Sequence, residues 1–388
     1  MAKVAGGFNP KRAAKKSGNI YAGLEIKTEE FINTGSLSLN AILSGSLFGG
    51  CPNNQIMMYA GEESVGKTYI MLRQAYMMKQ QGYFVYYFDS EGAVHDGMFE
   101  MYGFSSDEYE ILPVPTVEEL RIQMFSIASE YEEYYKTLKR GTDEYKNRTK
   151  ITFFLDSLGN LSSEKSLDDT SKGKSTRVMS KQQEIKRLFL DLTVKLNTNG
   201  IPFLMTNHVY EQIGAWIPTK TVSGGSGGKY NASNIMMLRK KDVKDEKTKQ
   251  FIGSVITVKA KKSRFVKPNL EIEFYLDYKR GLMPLYGLGK IAELSGLIKK
   301  VKVGTSNHFL IQDPRKPKEE WISVPCAQID RKDAIGTILE PLDEWVKENF
   351  LLKTDLSDIE DDAELDLDKV EIISGENDTD VFDDDDDE

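Results

Sequence analysis

The chain has 388 residues, of which 40% are hydrophobic and 29% are charged, and its net charge at pH 7 is −9. It can bury a sizeable core, and it lacks an apolar run of the roughly 18 residues that cross a bilayer, which argues against a membrane-spanning protein. The first residues have no apolar signal-peptide stretch, and Cys51 and Cys326 have no metal-ligand spacing, so we expect a reducing, cytoplasmic setting.

The charge is unevenly distributed along the chain. Residues 354–388 contain 18 acidic side chains and one basic one, a net charge of −17, so the preceding residues carry +8. The first 16 residues hold five basic side chains and no acidic ones. We therefore expect a basic N-terminal arm (residues 1–31), a mildly basic body and a disordered acidic tail (residues 351–388), because the tail cannot bury enough apolar surface to fold.

Strand-length apolar runs alternate with longer helical patterns in the body. In chain order the pattern predicts strands at residues 55–60, 84–89, 151–156 and 201–207 and helices at residues 67–82, 117–135 and 181–200. Three further strands follow, at residues 234–240, 253–261 and 270–277, as hairpins. Alternation of this kind predicts an α/β fold with a mostly parallel central sheet covered on both faces.

Two segments interrupt this alternation. Residues 162–176 are polar and show no periodicity, and residues 212–231 form a connection rich in Gly, Ser and Thr. Connections this long inside a compact domain are usually functional or flexible. A small mixed module is expected at residues 285–350.

The octet "GEESVGKT" carries the most specific chemical signal. Gly61, Gly66, Lys67 and Thr68 fit the pattern G-x-x-x-x-G-K-[ST], between a predicted strand and a predicted helix. In that context the glycines let backbone N–H groups surround phosphates, the lysine reaches the terminal phosphates and the threonine hydroxyl is a Mg²⁺ ligand. We predict that the whole octet binds ATP, including its intervening residues Glu62, Glu63, Ser64 and Val65. The alternative is a chance glycine turn.

Carboxylates follow two neighbouring predicted strands. Asp156 ends the run "ITFFLD", where it could bind Mg²⁺, although it could also cap the next turn. The segment "YYFDSEG" brings Asp89 and Glu91 to the same sheet edge, where ligands of open α/β sheets bind. Glu91 is placed to polarise an attacking water, or it is a solvated loop carboxylate.

Several ordered motifs resemble the RecA family of DNA recombinases, and its phage members in particular. These are "INTGSLSLNAIL", the octet, "FDSEGA", "FLDSLGNL", "MTNHVYEQIG" and "SGGSGGKYNASNIMML". The similarity covers roughly residues 32–284, which would form a RecA-like P-loop ATPase core. It implies that Glu91 is the catalytic base, that Asp156 is the metal-associated aspartate and that His208 senses the γ-phosphate, where bacterial RecA has a glutamine.

The same resemblance implies residues that act outside one subunit's own cleft. The family's paired cations act on the neighbouring subunit's γ-phosphate, and in "KAKKSRF" they correspond to Lys262 and Arg264. Its two DNA-binding loops correspond to the two interrupting segments. The residues expected there on DNA phosphates are Arg177, Lys220, Gly224, Gly225, Gly227, Gly228 and Lys229, with Trp216 and Tyr230 as candidates for base contact.

One position departs from the family. Where the family places a tyrosine against the adenine ring, this chain has Met98, followed by Phe99. A methionine sulfur can pack on an aromatic ring, so phosphate binding is the better supported half of the nucleotide prediction.

The resemblance implies a DNA-dependent ATPase that uses ATP and Mg²⁺. Its implied partners are single-stranded DNA, homologous duplex DNA, further copies of itself in a helical filament, a single-strand-binding protein and a recombination mediator. Two alternatives remain: a hexameric DNA helicase with the same core, and a single-stranded DNA-binding protein switched by ATP with little hydrolysis. The acidic tail could compete with DNA for the basic surface, serve as a docking tail, or only aid solubility.

Overall fold

A large central sheet organises the molecule. The structure, a computed structural model, describes residues 30–139, 141–172, 179–211, 220–222 and 232–352. The strands in these ranges are β1 (Phe31–Ile32), β2 (Cys51–Pro52), β3 (Ile56–Gly61), β4 (Tyr83–Asp89), β5 (Tyr109–Pro113), β6 (Lys150–Asp156), β7 (Phe203–Glu211), β8 (Lys220–Val222), β9 (Asn234–Lys244), β10 (Phe251–Lys262), β11 (Glu271–Asp277), β12 (Gly281–Met283), β13 (Ile298–Val303), β14 (Ser306–Ile311) and β15 (Ile322–Pro325).

The main sheet has the order β12-β11-β10-β9-β3-β7-β6-β4-β5, and β8 pairs with β7. Strands β9, β3, β7, β6, β4 and β5 run parallel to one another, whereas β10, β11 and β12 extend the sheet as antiparallel hairpins. The predicted α/β class with a mostly parallel sheet is confirmed. Since β3 and β6 lie inside this sheet, their near-continuous apolar sequences are buried on both faces.

Helices cover both faces of the sheet. In the described ranges they are α1 (Leu37–Ser44), α2 (Lys67–Lys79), α3 (Asp96–Met101), α4 (Val117–Thr137), α5 (Asp143–Lys146), α6 (Glu164–Ser171), α7 (Met179–Asn199), α8 (Leu288–Leu294) and α9 (Leu339–Asn349). Three short 3₁₀ turns follow β14: Lys318–Glu320, Cys326–Gln328 and Ile335–Ile338. None of the helices in these ranges has the length and apolarity to span a membrane.

Alternate residues of β3 belong to two different apolar clusters. Met57 and Tyr59 join the cluster that includes buried residues of α1, α2, α8 and α9. Met58 and Ala60 join the cluster on the other face, which includes residues of α4 and α7. The alternation follows from the two-residue period of a strand, and it places the end of β3 in a rigid, fully packed part of the molecule.

The segment "TGSLSLN" has a local structural explanation. The Ser36 hydroxyl accepts a hydrogen bond from the Leu39 N–H and so caps α1. The side chain of Asn40 accepts from the backbone N–H and hydroxyl of Thr34 and donates to the Leu47 carbonyl. This motif therefore holds the first helix against the turn that leads to β2.

The structure differs from the sequence interpretation at residues 162–176. Residues 164–171 form helix α6, because the Ser163 hydroxyl accepts a hydrogen bond from the Ser166 N–H and caps a helix that has no buried residues. Since no buried stripe faces a core, hydrophobic periodicity could not predict this helix. Helices α1 and α3 and strand β5 were also not predicted.

The last helix ties the residues after β12 to the main sheet. The buried Asp343 of α9 accepts hydrogen bonds from the Leu47 N–H at 2.6 Å and from the Ser46 hydroxyl at 2.8 Å. Leu342 and Val346 of the same helix belong to the apolar cluster of α1 and α2. The boundary predicted at residue 285 thus separates two sequence regions that share one core.

We expect Asp343→Ala to lower the free energy of unfolding by about 2–3 kcal/mol, because it leaves the buried Leu47 N–H without an acceptor. Urea denaturation followed by circular dichroism measures this change. The exposed neighbour provides the matched control, since Glu344→Ala should change stability by less than about 0.5 kcal/mol. Equal effects of the two substitutions would contradict the anchoring role of Asp343.

Candidate functional site

The turn between β3 and α2 is the glycine-rich octet. A Cβ atom at Gly61 would lie 2.9 Å from the Val65 side chain and 3.0 Å from the Leu238 carbonyl oxygen. Gly66 has φ +96°, a conformation that other residues rarely adopt, and it precedes α2 without a side-chain cap. The first N–H groups of α2 therefore stay available, which is the arrangement that binds phosphate at a helix N-terminus.

Lys67 is held inside this turn. Its Nζ donates to the carbonyl oxygens of Gly61 at 3.1 Å and Glu62 at 2.8 Å. Burial lowers the pKa of Lys67, and the nearby carboxylates of Asp156, Glu91 and Glu63 oppose that effect. The amine thus lies within the octet, where a bound anionic ligand would form a charge-assisted hydrogen bond with it.

The octet opens into a cleft of about 460 Å³. Its lining comes from both ends of the octet and from the ends of neighbouring strands. The lining residues are Glu63, Ser64, Gly66, Lys67, Thr68, Tyr69, Glu91, Asp156, Asn160 and His208. Eight predicted members of the site are thus brought together: Glu63, Ser64, Gly66, Lys67, Thr68, Glu91, Asp156 and His208.

Asp156 is buried at the end of β6 and accepts three hydrogen bonds. The donors are the hydroxyls of Thr68 at 2.6 Å, Tyr87 at 3.1 Å and Thr206. Burial raises the pKa of Tyr87, and the Asp156 carboxylate adds to that effect, so this phenol remains a donor. A carboxylate fixed beside a threonine hydroxyl and facing a phosphate-binding turn is a donor set that suits Mg²⁺.

Glu91 follows β4, across the sheet from the octet. Its position is set by Asp89, whose carboxylate accepts from the backbone N–H groups of Glu91 at 2.9 Å, Gly92 at 2.9 Å and Val94 at 3.0 Å. The hydroxyl of Ser90 donates to the Ser157 carbonyl and accepts from the Ser157 N–H, which ties this turn to the end of β6. Asp89 therefore shapes the turn that presents Glu91.

His208 contacts Glu91 directly. The distance from His208 Nε2 to Glu91 Oε1 is 3.1 Å, and His208 pairs with Gly61 in the register of β7 and β3. Burial would raise the pKa of Glu91, but hydrogen bonding from Ser157 and His208 and the charge of Lys67 outweigh it and lower that pKa. Glu91 is consequently ionised over a wider pH range than an ordinary glutamate.

We expect His208→Ala to raise the pKa of Glu91, because the carboxylate loses a hydrogen bond that stabilises its ionised form. The measurement is a carboxyl ¹³C NMR titration of the nucleotide-free protein, with the Glu91 signal assigned by its loss in Glu91→Gln. His208→Gln keeps a donor and serves as the matched variant, so its shift should be smaller. A Glu91 pKa that stays constant or falls in His208→Ala would contradict this coupling.

Lys262 and Arg264 lie away from the cleft of their own subunit. Lys262 pairs with Ile235, which in turn pairs with Met58, three residues before Gly61 on β3. Arg264 is exposed beyond the end of β10, and its backbone N–H donates to the Asn234 side chain at 3.2 Å. Burial and the charge of Arg264 lower the pKa of Lys262. The pair thus lies toward the edge of the parallel strands opposite the octet.

Most of the residues predicted to bind DNA lie outside the described ranges. These are Arg177, Gly224, Gly225, Gly227, Gly228 and Lys229, together with Trp216 and Tyr230. Lys220 begins β8, whose backbone pairs antiparallel with β7 opposite Glu211. The N-terminal arm up to residue 29 and the acidic tail from residue 353 are also outside these ranges.

Comparisons with known proteins find recombination proteins that are similar to this chain, although no family model matches it. The "Recombination and repair protein" of Enterobacteria phage T4 is 26% identical over 294 residues, which cover 75% of this chain and 70% of that protein. "Protein RecA" of Deinococcus radiodurans is 25% identical over 295 residues, covering 74% of each chain. "Protein RecA" of Fusobacterium nucleatum is 27% identical over 289 residues, covering 73% of this chain and 68% of that protein.

Proposed function

We propose that this chain, which is similar to the RecA-family recombinases over about three quarters of its length, is a DNA recombination and repair protein that hydrolyses ATP. It would form helical filaments on single-stranded DNA and promote homologous pairing and strand exchange in recombination, recombination-dependent replication and repair. The observation that carries the proposal is the Thr68–Asp156 contact at the phosphate-binding turn, with Glu91 and His208 on either side.

In the proposed reaction, the N–H groups of the octet and the amine of Lys67 bind the phosphates of ATP. Thr68 and Asp156 would hold Mg²⁺, and this ion would neutralise part of the phosphate charge when it is bound. Glu91, ionised and directed by Asp89, orients the attacking water and accepts its proton. His208 links the position of Glu91 to strand β7, and β7 leads to the loop that we propose to contact DNA.

The position of Lys262 and Arg264 supports completion of the site by a second subunit. Two cations outside the cleft of their own subunit would stabilise transition-state charge in a neighbouring cleft, as cations supplied in trans do in phosphoryl transfer. A contact of this kind joins two different surfaces and is repeated from subunit to subunit, which generates an open helical assembly. Nucleotide binding and filament geometry would then be coupled.

The regions outside the described ranges have proposed roles in the same assembly. The basic arm (residues 1–31) would dock on the adjacent core, and the acidic tail (residues 351–388) would contact single-strand-binding or mediator proteins or limit access to DNA. Arg177, Lys220, Lys229 and the four glycines Gly224, Gly225, Gly227 and Gly228 would bind the phosphates of DNA and leave its bases free for pairing. A phage-encoded protein of this kind acts in the host cytoplasm.

A DNA-stimulated ATPase assay tests the proposal against its alternatives. A recombinase should hydrolyse ATP far faster with single-stranded DNA than without it, and it should form regular helical filaments in electron micrographs with a non-hydrolysable ATP analogue. An ATP-switched binding protein would show little turnover under either condition. Closed rings that unwind a forked duplex would instead identify a helicase and overturn the proposal.

A further inference from the structure

A nucleotide extends beyond its phosphates, so its sugar and base need a surface next to the octet. Aromatic rings are well suited to a nucleobase, because they offer a flat apolar face with little conformational freedom. Among the described residues that line the cleft, Tyr69 has the only phenol ring. It follows Thr68 directly in the first turn of α2.

The ring of Tyr69 is held in place on two sides. Its hydroxyl accepts a hydrogen bond from the Leu282 N–H at 2.9 Å, and a Cβ atom added to Gly281 would lie 3.0 Å from that oxygen. The rings of Tyr69 and Tyr102 are 6.3 Å apart with an interplanar angle of 58°. Tyr69 remains only half-buried, so a fixed ring is left with an accessible part.

Met98 and Phe99 occupy the position where the family stacks the adenine ring, but neither lines the cleft. Phe99 is fully buried and stacks on Tyr109 at 4.2 Å, which removes it from any ligand. Met98 packs partly against the apolar core, and neither Met98 nor Phe99 is among the described residues that line the cleft. Tyr102 lies four residues after Met98 and is the C-cap of α3, just beyond the last residue of that helix.

We propose that the nucleoside of the bound nucleotide stacks on Tyr69, with Tyr102 supporting that ring from behind, and that Met98 is not the stacking residue. The inference rests on the proposed ATP binding and deepens it. Recognition of the base would then depend on α2, the same helix that binds the phosphates, and Tyr102 would be a positioning residue that keeps the ring of Tyr69 in place. Loss of Tyr69 should weaken the binding of nucleotides and leave the binding of bare phosphates unchanged.

The test compares two probes, Mg²⁺–ADP and Mg²⁺–tripolyphosphate, by isothermal titration calorimetry on the full chain. For Tyr69→Ala we expect the affinity for ADP to fall about tenfold, the size typical of one lost stacking contact, with unchanged affinity for tripolyphosphate. Tyr69→Phe keeps the ring and should keep most of the ADP affinity. Tyr102→Ala should give a smaller loss, and Met101→Ala, on the exposed side of α3, is the matched control with no loss.

The outcomes separate this inference from the proposed function. If wild-type protein binds neither probe, the proposed ATP site itself fails. If Met98→Ala loses ADP affinity and Tyr69→Ala does not, the site is upheld and the assignment of Tyr69 is overturned. Equal losses for ADP and tripolyphosphate in Tyr69→Ala would show that the ring supports the octet and not the nucleoside. The fold of each variant is checked by circular dichroism.

Discussion

Glu91→Gln should reduce DNA-stimulated ATP hydrolysis by about 10²–10⁴-fold, the contribution typical of a positioned general base. Glutamine has the same size as glutamate and can still contact His208, but it cannot accept a proton from the attacking water. The affinity for ATP should change little, because the octet, Lys67 and the Thr68–Asp156 pair remain intact. Steady-state phosphate release and equilibrium binding of an ATP analogue measure the two quantities separately.

A matched carboxylate distinguishes catalysis from surface charge. Glu100 is exposed on α3 and makes no contribution to the cleft, so Glu100→Gln should hydrolyse ATP at the wild-type rate. Normal turnover by Glu91→Gln would remove Glu91 from the mechanism. Loss of ATP binding in Glu91→Gln would show that the carboxylate maintains the cleft, and the proposed role as a base would then have no support.

The parallel core could be predicted from sequence because its signals are local. Buried strands such as β3 and β6 are continuous apolar runs, and α4 and α7 show clear helical periodicity. Strand β7 was expected to end at residue 207 but continues to Glu211, since Val209, Tyr210 and Glu211 pair with β8. That pairing is with the next strand along the chain, which has only three residues and was not predicted from the sequence pattern.

The candidate site likewise contains residues that could be predicted from local sequence and residues that could not. The octet, Asp156 and Glu91 could be assigned from motifs because each is defined by its own neighbours in the chain. The contact between His208 and Glu91 could not, because it depends on the strand order β7-β6-β4, which places these residues on either side of Asp156. Tyr87 and Thr206 were missed for the same reason: each binds Asp156 from an adjacent strand.

The double variant Lys262→Ala/Arg264→Ala should lose ATP hydrolysis. Mixing it with a second inactive variant should restore part of that activity. Cations supplied from a neighbouring subunit typically contribute about 10³–10⁵-fold to phosphoryl transfer, so the double variant alone should be nearly inactive. Glu91→Gln alone should also be inactive. When the two are mixed, some interfaces combine the Glu91 of one protein with the Lys262 and Arg264 of the other.

For random mixing in equal amounts, about one quarter of the interfaces in a head-to-tail filament have both functional halves, which sets the expected recovery of activity. Lys261→Ala is the matched control, because it removes one positive charge next to Lys262 on β10 and leaves Lys262 and Arg264 in place. It should be active alone. A mixture that stays as inactive as its two components, under conditions where filaments form, would mean that Lys262 and Arg264 do not act across the interface. Recovery is possible only if each ATP is shared by two subunits, so this one assay decides whether catalysis and filament assembly are coupled.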